Sequence, residues 1–420
     1  MQKIGLHLIA LVLMAAPLFA QGKRLWVLRP TGEMVEYDPA TFAPKQNVKL
    51  PPEALRSPAN ISVNSAGQIL FAAPVSLPVP DSDAGTPRKA WLWDGHAGSW
   101  IDEPIERKTE EHGSNQAVNE SAAVPILSAD GKHLFWFASQ ARRLQREEMD
   151  LSITGGFEAW QTGLEGKARE DVASAKLPEC RCTSGTCEET CPTFQAWSPE
   201  GGVRGFLLVN QTVSGQTATT YKASTRYEFA GGKWTSNALP EPLQRVLDAN
   251  ATGSVIVEAI PDTGCCGWSN QSNDQTLVVA EGKKLTIFDE QASYKNPDYD
   301  VSFYTVNARL SADATRVAMT IIATAQSNKP IQLAEEGQAN PEESQRIRKA
   351  LLTLPAVEVK SVDETTRRIA LVPRAALVGW ISDHELLIME NHLLVAYNVA
   401  TGARRKSMIR VEDGAHVFLP

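Results

Sequence analysis

Six segments of the chain share one pattern of apolar and polar positions. Each begins with a short apolar stretch, passes through a tight turn of Ser, Asp, Asn or Gly, and ends in a second apolar stretch. They occupy residues 60–73, 125–139, 196–210, 247–260, 309–322 and 379–391. Such stretches are typical of β-hairpins, and their recurrence every roughly 50 to 70 residues indicates an array of similar units.

A second hairpin pattern follows most of these segments. Examples are AWLWDGHAGSW (90–100), RYEFAGGKW (226–234) and the segment 393–409, in which apolar stretches again flank a short turn. One unit therefore contains four strands, joined in order by a short turn, a variable loop and another short turn. This is the plan of one blade of a β-propeller.

The two ends of the chain complement each other. Residues 24–50 have room for three strands only, and GAHVFLP (414–420) offers one more apolar strand. VEYDPAT (35–41) is also similar to VAYNVAT (395–401). We therefore predict an all-β fold, a single propeller over residues 21–420 that is closed by N- and C-terminal strands. Six complete units and this composite give seven blades; a six-bladed ring and a pair of β-sandwiches are the alternatives.

Three of the repeated turns carry a family resemblance. LSADGKHLFWFAS (127–139), WSPEGG (197–202) and LSADATRVAMT (310–320) resemble the repeats of the TolB-like and WD40-like periplasmic propeller families. In those families Ser-Pro-Asp-Gly-Lys precedes an apolar strand. The resemblance implies the propeller fold and leaves the function open, because propellers include both binding modules and enzymes.

Insertions fall on one class of connection. In a four-stranded blade, the first and third connections leave one face of the disc, here called the short-turn face, and they are uniformly short in this chain. The opposite face, here called the long-loop face, receives the insertions 74–89, 103–120, 140–150, 180–191, 261–274 and 326–355. Long loops on a rigid scaffold often build binding surfaces.

The insertion 326–355 contains a helical pattern. Asn340 and Pro341 suit the start of a helix, and apolar residues recur at helical spacing between Ile347 and Leu354. We expect one short helix here, packed on its own domain.

The N-terminal residues 1–20 have the pattern of a secretory signal peptide. Lys3 precedes an apolar run that is too short to span a bilayer, and small residues lead to Ala20. We expect a periplasmic or secreted protein without a membrane span, and a monomer. The formal net charge of −8 for the whole chain argues against nucleic acid as a partner.

Cysteines in an exported chain are expected to form disulfides. The six are Cys180, Cys182, Cys187, Cys191, Cys265 and Cys266. A zinc site in the cysteine-rich loop 180–191 is the alternative for the first four. For the adjacent pair, a bond from the 180–191 loop to Cys265 or Cys266 is favoured over a vicinal ring, because the vicinal ring is strained. Vicinal disulfides occur in quinone-dependent propeller dehydrogenases. The segment AYNVATGARRK (396–406) resembles the repeat of that family, but Asn398 and Lys406 replace its Asp and Trp.

The sequence holds no familiar catalytic motif and no histidine pair at metal-ligand spacing, so we expect no metal and no cofactor. Trp268 lies beside the adjacent cysteines on a Gly- and Asn-rich loop and is, with Asp262 and Asn270, the candidate binding site. We predict a binding or scaffolding module whose partner is an unknown protein or small ligand at the long-loop face. The alternative is a propeller hydrolase, lyase or quinone-dependent dehydrogenase with a site in the central channel.

Overall fold

The fold is nearly all β. In the computed structural model, the described residues are 23–56, 61–72, 89–102, 118–120, 124–128, 131–147, 150–176, 180–183, 186–187, 192–197, 206–214, 219–230, 233–238, 245–249, 255–260, 275–280, 283–289, 301–325 and 352–420. They form 31 strands and the short helix α1 (Pro52–Arg56). The strands pair into seven antiparallel sheets, numbered here along the chain.

Among the described strands, sheet 1 alone combines strands from both ends of the chain. Sheet 1, in the order β3-β2-β1-β31, contains β1 (Leu25–Leu28), β2 (Glu33–Tyr37), β3 (Pro44–Lys49) and β31 (His416–Phe418). Sheet 2 contains β4 (Ile61–Val63), β5 (Ile69–Ala72), β6 (Lys89–Trp93) and β7 (Gly98–Asp102). Sheet 3 contains β8 (Val118–Glu120), β9 (Val124–Leu127), β10 (His133–Glu147), β11 (Asp150–Gly163), β12 (Glu170–Lys176), β13 (Cys180–Thr183) and β14 (Thr186–Cys187).

The other four sheets each contain four strands in chain order. Sheet 4 contains β15 (Pro192–Trp197), β16 (Phe206–Ser214), β17 (Thr219–Ala230) and β18 (Lys233–Ala238). Sheet 5 contains β19 (Arg245–Ala249), β20 (Val255–Ile260), β21 (Gln275–Ala280) and β22 (Lys283–Asp289). Sheet 6 contains β23 (Val301–Leu310), β24 (Arg316–Ala325), β25 (Ala356–Ser361) and β26 (Arg368–Pro373). Sheet 7 contains β27 (Ala375–Ser382), β28 (Glu385–Glu390), β29 (Leu393–Asn398) and β30 (Arg404–Arg410).

All six predicted hairpins are present, as β4–β5, β9–β10, β15–β16, β19–β20, β23–β24 and β27–β28. Their repeated turn residues have a structural task. The Ser128 hydroxyl accepts a hydrogen bond from the His133 backbone N–H at 3.0 Å, and Ser311 does the same for Arg316 at 3.0 Å. Such bonds satisfy backbone donors in the turn and fix where the second strand starts.

The second hairpin pattern also uses a side-chain oxygen to close its turn. Asp94 Oδ1 accepts from the backbone N–H groups of His96 and Ala97 at 2.8 and 2.9 Å. Asn398 Oδ1 makes the equivalent bonds to Ala400 and Thr401 at 3.1 and 2.9 Å. In VEYDPAT, Asp38 Oδ1 accepts in the same way from Ala40 and Thr41 at 2.8 and 3.1 Å, so an amide and a carboxylate serve the same turn, which explains the similarity to VAYNVAT.

These turns make stability depend on acid pH. Hydrogen bonds from Ala97 and His96 lower the pKa of Asp94 below its ordinary 3.8, and the pKa of Asp363 is lowered chiefly by Thr365. Because the folded carboxylates bind protons less readily, this stabilisation is complete above about pH 3.8 and is lost as the pH falls through the folded pKa. Between about pH 5 and about pH 3, urea midpoints should therefore fall less for Asp94→Asn than for the parent. Equal falls would contradict this.

Neighbouring sheets share buried apolar cores. Clusters of buried side chains join sheets 1 and 2, 2 and 3, 5 and 6, 6 and 7, and also 7 and 1. Between sheets 3 and 4, Tyr227 packs edge-on against Phe157 with ring centroids 6.5 Å apart. The alternating apolar positions that predict strands are thus buried between sheets, and this burial is the main stabilising contribution.

Several strand tryptophans are part of these cores. Trp91, Trp136 and Trp380 are buried. The indole of Trp136 lies parallel to that of Trp160 at 6.3 Å, and its N–H donates to the Thr162 hydroxyl at 3.1 Å. These three tryptophans are therefore packing residues, whereas Trp100 of β7 is 42% exposed.

Candidate functional site

The connections differ strongly between the two ends of the sheets. Since the strands are antiparallel, successive connections leave a sheet at alternate ends. Short turns of neighbouring sheets lie side by side: Gln68 Nε2 donates to the Gly131 carbonyl at 2.8 Å, and the Asp313 N–H donates to Asp383 at 3.0 Å. The opposite ends carry the connections 73–88, 103–117, 261–274 and 326–355. This agrees with the predicted short-turn and long-loop faces.

Parts of three predicted insertions come together in sheet 3. Strands β10 and β11 form one long hairpin, and its inner half pairs with β9 and β12 to make a four-stranded sheet like the others. The outer half continues past that sheet and pairs with β8 and β13 instead. We call this outer part, made of β8, residues 140–147, residues 150–155, β13 and β14, the extension.

Backbone pairing defines the extension. Residues Gln140 to Arg142 pair with β8 on one side, and Leu151 to Ile153 pair with β13 on the other. The strand order is β14-β13-β11-β10-β8. The segments 103–120, 140–150 and 180–191, which are separated in sequence, are therefore partly joined into one sheet on the long-loop face. The edge strands β8 and β14 are very short, which limits uncontrolled edge-to-edge pairing.

The extension corrects two sequence predictions. Residues 140–150 and the cysteine-rich segment 180–191 were expected to be loops, yet both contain strands. The segment QARRLQRE (140–147) lacks apolar alternation, so no local signal predicts a strand. Its backbone pairs instead with the following strand β11 along its length, and residues 140–142 also pair with β8.

Most of the predicted site residues lie outside the described residues. This holds for Trp268, Asp262, Asn270, Cys191, Cys265 and Cys266. For Cys180, Cys182 and Cys187, the strand positions are described, and they place all three in the extension. The disulfides therefore stay predictions. Of the segment 326–355 with its predicted helix, Leu352 to Pro355 are described; Leu352 and Thr353 are helical, and Leu354 and Pro355 are not.

A polar cavity of about 630 Å³ lies on the short-turn side, where sheet 1 meets Ile381 of β27. Sequence reasoning did not identify it. Its charged and amide side chains are those of Lys23, Arg24, Glu36, Asp38, Lys45 and Gln46. Glu36 is only 3% exposed and lies in a strand whose last four residues are all buried, and the local sequence does not connect it to Arg24.

Four charges of this cavity form two pairs. Arg24 Nη1 lies 3.2 and 3.3 Å from the two oxygens of Glu36, and Gln46 Nε2 donates to Glu36 at 2.7 Å. Lys45 Nζ lies 3.2 Å from Asp38, and this bond is the main cause of the lowered pKa of Asp38. A buried carboxylate needs such partners.

Arg24 also joins two sheets. A Cβ at Gly67, in the turn between β4 and β5, would lie 2.4 Å from Arg24 Nη1, so the guanidinium packs directly on the Gly67 backbone. Gly67 has a φ of +82°, which glycine adopts without strain. The pairing of Arg24 with Glu36 therefore holds sheet 1 against sheet 2, a structural role that accounts for these two charges of the cavity.

The described residues hold no group of three or more His, Cys, Asp and Glu side chains arranged to bind a metal ion. No helix among them has the length and apolar character to cross a membrane.

Comparison with known proteins gives no family. No family model and no curated protein matches the chain. The resemblance to TolB-like and WD40-like repeats therefore stays a prediction.

Some solved structures align over most of this chain at low similarity. Dipeptidyl peptidase 4 of Porphyromonas gingivalis is 9% identical, with a TM-score of 0.42, and the alignment covers 93% of this chain but only 58% of the peptidase. Dihydro-heme d1 dehydrogenase NirN in complex with DHE is 12% identical over 96% of this chain and 77% of its own, with a TM-score of 0.37. Apo AztD from Citrobacter koseri is 10% identical over 95% and 98%, with a TM-score of 0.32. At such TM-scores the sheet topology alone describes the fold.

Proposed function

We propose that this chain is an exported, seven-bladed β-propeller that binds a partner protein at its long-loop face. Each antiparallel sheet would be one blade, and sheet 1, with strands from both ends of the chain, would close the ring. The buried cores between neighbouring sheets, including the core between sheets 7 and 1, support this arrangement. Residues 1–20 support export to the periplasm or beyond.

The extension is the observation that carries the binding proposal. Parts of three insertions that are separated in sequence pair within one sheet, and this pairing holds them in fixed positions relative to the scaffold. A merely solvated loop needs no such pairing, since water satisfies its backbone groups. A rigid, projecting surface at one face suits recognition, because little conformational entropy is lost when a partner binds.

The shape of this surface favours a protein over a small ligand. Small ligands bind in concave sites that cover most of their surface, whereas the extension is a projecting sheet. The cavity between sheets 1 and 7 is concave, but two ion pairs, Arg24 with Glu36 and Lys45 with Asp38, already occupy four of its charges. The loop 261–274, with Asp262, Trp268 and Asn270, connects β20 to β21 on the same face, and we propose that it completes the surface. A propeller enzyme with a central-channel site stays the alternative.

Photo-crosslinking tests this proposal. A photoreactive amino acid is placed at Arg143 or Gln145 of the extension in cells that make the protein, and the cells are irradiated before purification. We expect covalent adducts of one discrete mass from these two positions, because a partner held by the extension lies within reach of the probe. Mass spectrometry of the adduct identifies the partner.

Matched probes belong on the opposite face. Thr365 and Ala400 are exposed turn residues there and should give no adduct of that mass. Adducts of equal yield from both faces, or from Ala400 alone, would contradict the proposed surface.

A further inference from the structure

Two cysteines of the extension occupy directly opposed strand positions. In the hairpin of β13 and β14, Cys182 is the register partner of Cys187, and Thr183 is the partner of Thr186. On its other side, β13 pairs with β11, where Cys182 lies opposite Leu151. The two cysteines therefore sit together at the outer side of the extension.

The register determines which kind of pair they form. Only residues 184 and 185 separate Thr183 from Thr186, and in such a hairpin the pair next to the loop exchanges the hydrogen bonds. The next pair, Cys182 with Cys187, is then a non-hydrogen-bonded pair, whose Cα atoms are about 4.5 Å apart. This falls within the separation of about 4.4 to 6.8 Å that disulfides span.

We propose that Cys182 and Cys187 form a disulfide across this hairpin, a pairing assigned by their opposed register. The two thiols lose two protons and two electrons as the S–S bond forms. A disulfide oxidant such as oxidised glutathione accepts the electrons and is reduced to two thiols. The bond would lock the edge of the extension, whatever the extension binds.

A zinc site is the competing arrangement. Cys180 and Cys182 are two positions apart on β13, so they share one face of the sheet with Cys187. Structural zinc sites usually have at least two residues between paired cysteines, whereas a single residue separates these two. The disulfide also leaves Cys180 and Cys191 available for the predicted bond to Cys265 or Cys266.

Peptide mapping of the full chain tests the assignment. The protein is equilibrated with oxidised and reduced glutathione, alkylated without reduction, and digested with trypsin and a glutamate-specific protease. Cleavage after Arg181 and Glu188 isolates residues 182–188, which contain only these two cysteines. We expect this peptide to be unalkylated and lighter than its dithiol form by two hydrogen atoms.

Two serine variants test directly which cysteines are bonded. Cys182→Ser should make Cys187 alkylatable, whereas Cys180→Ser should leave peptide 182–188 closed. Doubly alkylated 182–188 with one zinc per chain by elemental analysis would overturn the proposal in favour of a metal site. Finding Cys182 or Cys187 bonded to another cysteine would overturn it too.

Discussion

Deleting residues 416–420 should lower the free energy of unfolding by roughly 4 to 6 kcal/mol, since each fully buried apolar side chain contributes about 1.5 to 3 kcal/mol. The deletion removes β31, whose Val417 and Phe418 pair with Val27 and Trp26 of β1. It also removes Leu419, which is 8% exposed and packs on Gly379 of β27. The strand thus contributes to cores on both sides of sheet 1.

The same deletion exposes a sheet edge. Strand β1 is fully buried, and without β31 its backbone groups would lack partners on one side. Such an edge favours pairing with other chains, so the shortened protein should also self-associate.

For a chain of this size, such a loss corresponds to a fall of roughly 5 to 8 °C in Tm. Thermal unfolding and size-exclusion chromatography measure the two effects. Deletion of Pro420 alone is the control, because it leaves both β31 and Leu419 in place. A shortened protein that melts within about a degree of the parent would disprove closure by the C-terminal strand.

The repeated hairpins could be predicted because their signals are local. Ser128 and Ser311 mark turns in the sequence, and in the structure their hydroxyls bond to backbone N–H groups within the same turn. In the strands on either side of each turn, alternate apolar residues are buried in the cores; Trp136 and Trp380 are examples. Turn chemistry and strand periodicity thus agree in each unit.

The extension could not be predicted, because it depends on pairing between distant segments. Residues 140–142 pair with β8 as well as with β11, and residues 151–153 pair with β13 as well as with β10. Nothing in the polar sequence 140–147 specifies these neighbours. The lengths of the connections predict that the three insertions lie on one face, but they do not predict how these insertions pair with one another.

The buried carboxylates mark a similar limit. Glu36 and Glu358 lie in stretches of β2 and β25 that are buried at four consecutive positions, where apolar residues would be expected. Their partners lie outside these strands: Arg24 directly precedes β1, and Arg368 is the first residue of β26. Such pairs depend on register, which a single sequence does not give.

Replacing Glu358 with Gln should lower the free energy of unfolding by about 3 to 5 kcal/mol at neutral pH, the usual effect of breaking a buried ion pair. Glu358 is 1% exposed, accepts a hydrogen bond from Arg368 Nε, and lies 3.9 Å from Lys360 Nζ. Lys360 also donates to the Ile287 carbonyl of β22, so this network joins sheets 5 and 6. Without Glu358, two cations remain close together with no buried anion.

The loss should shrink at alkaline pH. Burial lowers the pKa of Lys360 below its ordinary 10.5; Glu358 counteracts this and Arg368 adds to it. Removing Glu358 therefore lowers the folded pKa further, so the unfolded chain binds more protons between that pKa and about 10.5. Over this range stability rises with pH, and the penalty is greatest below the folded pKa, where Lys360 is charged.

Urea midpoints of the parent and of Glu358→Gln at about pH 7 and about pH 9.5 measure this trend. Glu364→Gln is the matched control, because Glu364 is 78% exposed and pairs at 2.7 Å with Lys283, which is 69% exposed. Breaking that surface pair should cost less than about 1 kcal/mol and show no alkaline recovery. A double variant, Glu358→Leu with Lys360→Met, should regain much of the lost stability, because apolar groups can replace a buried ion pair. If Glu358→Gln behaves like Glu364→Gln at both pH values, the buried network does not hold sheets 5 and 6 together.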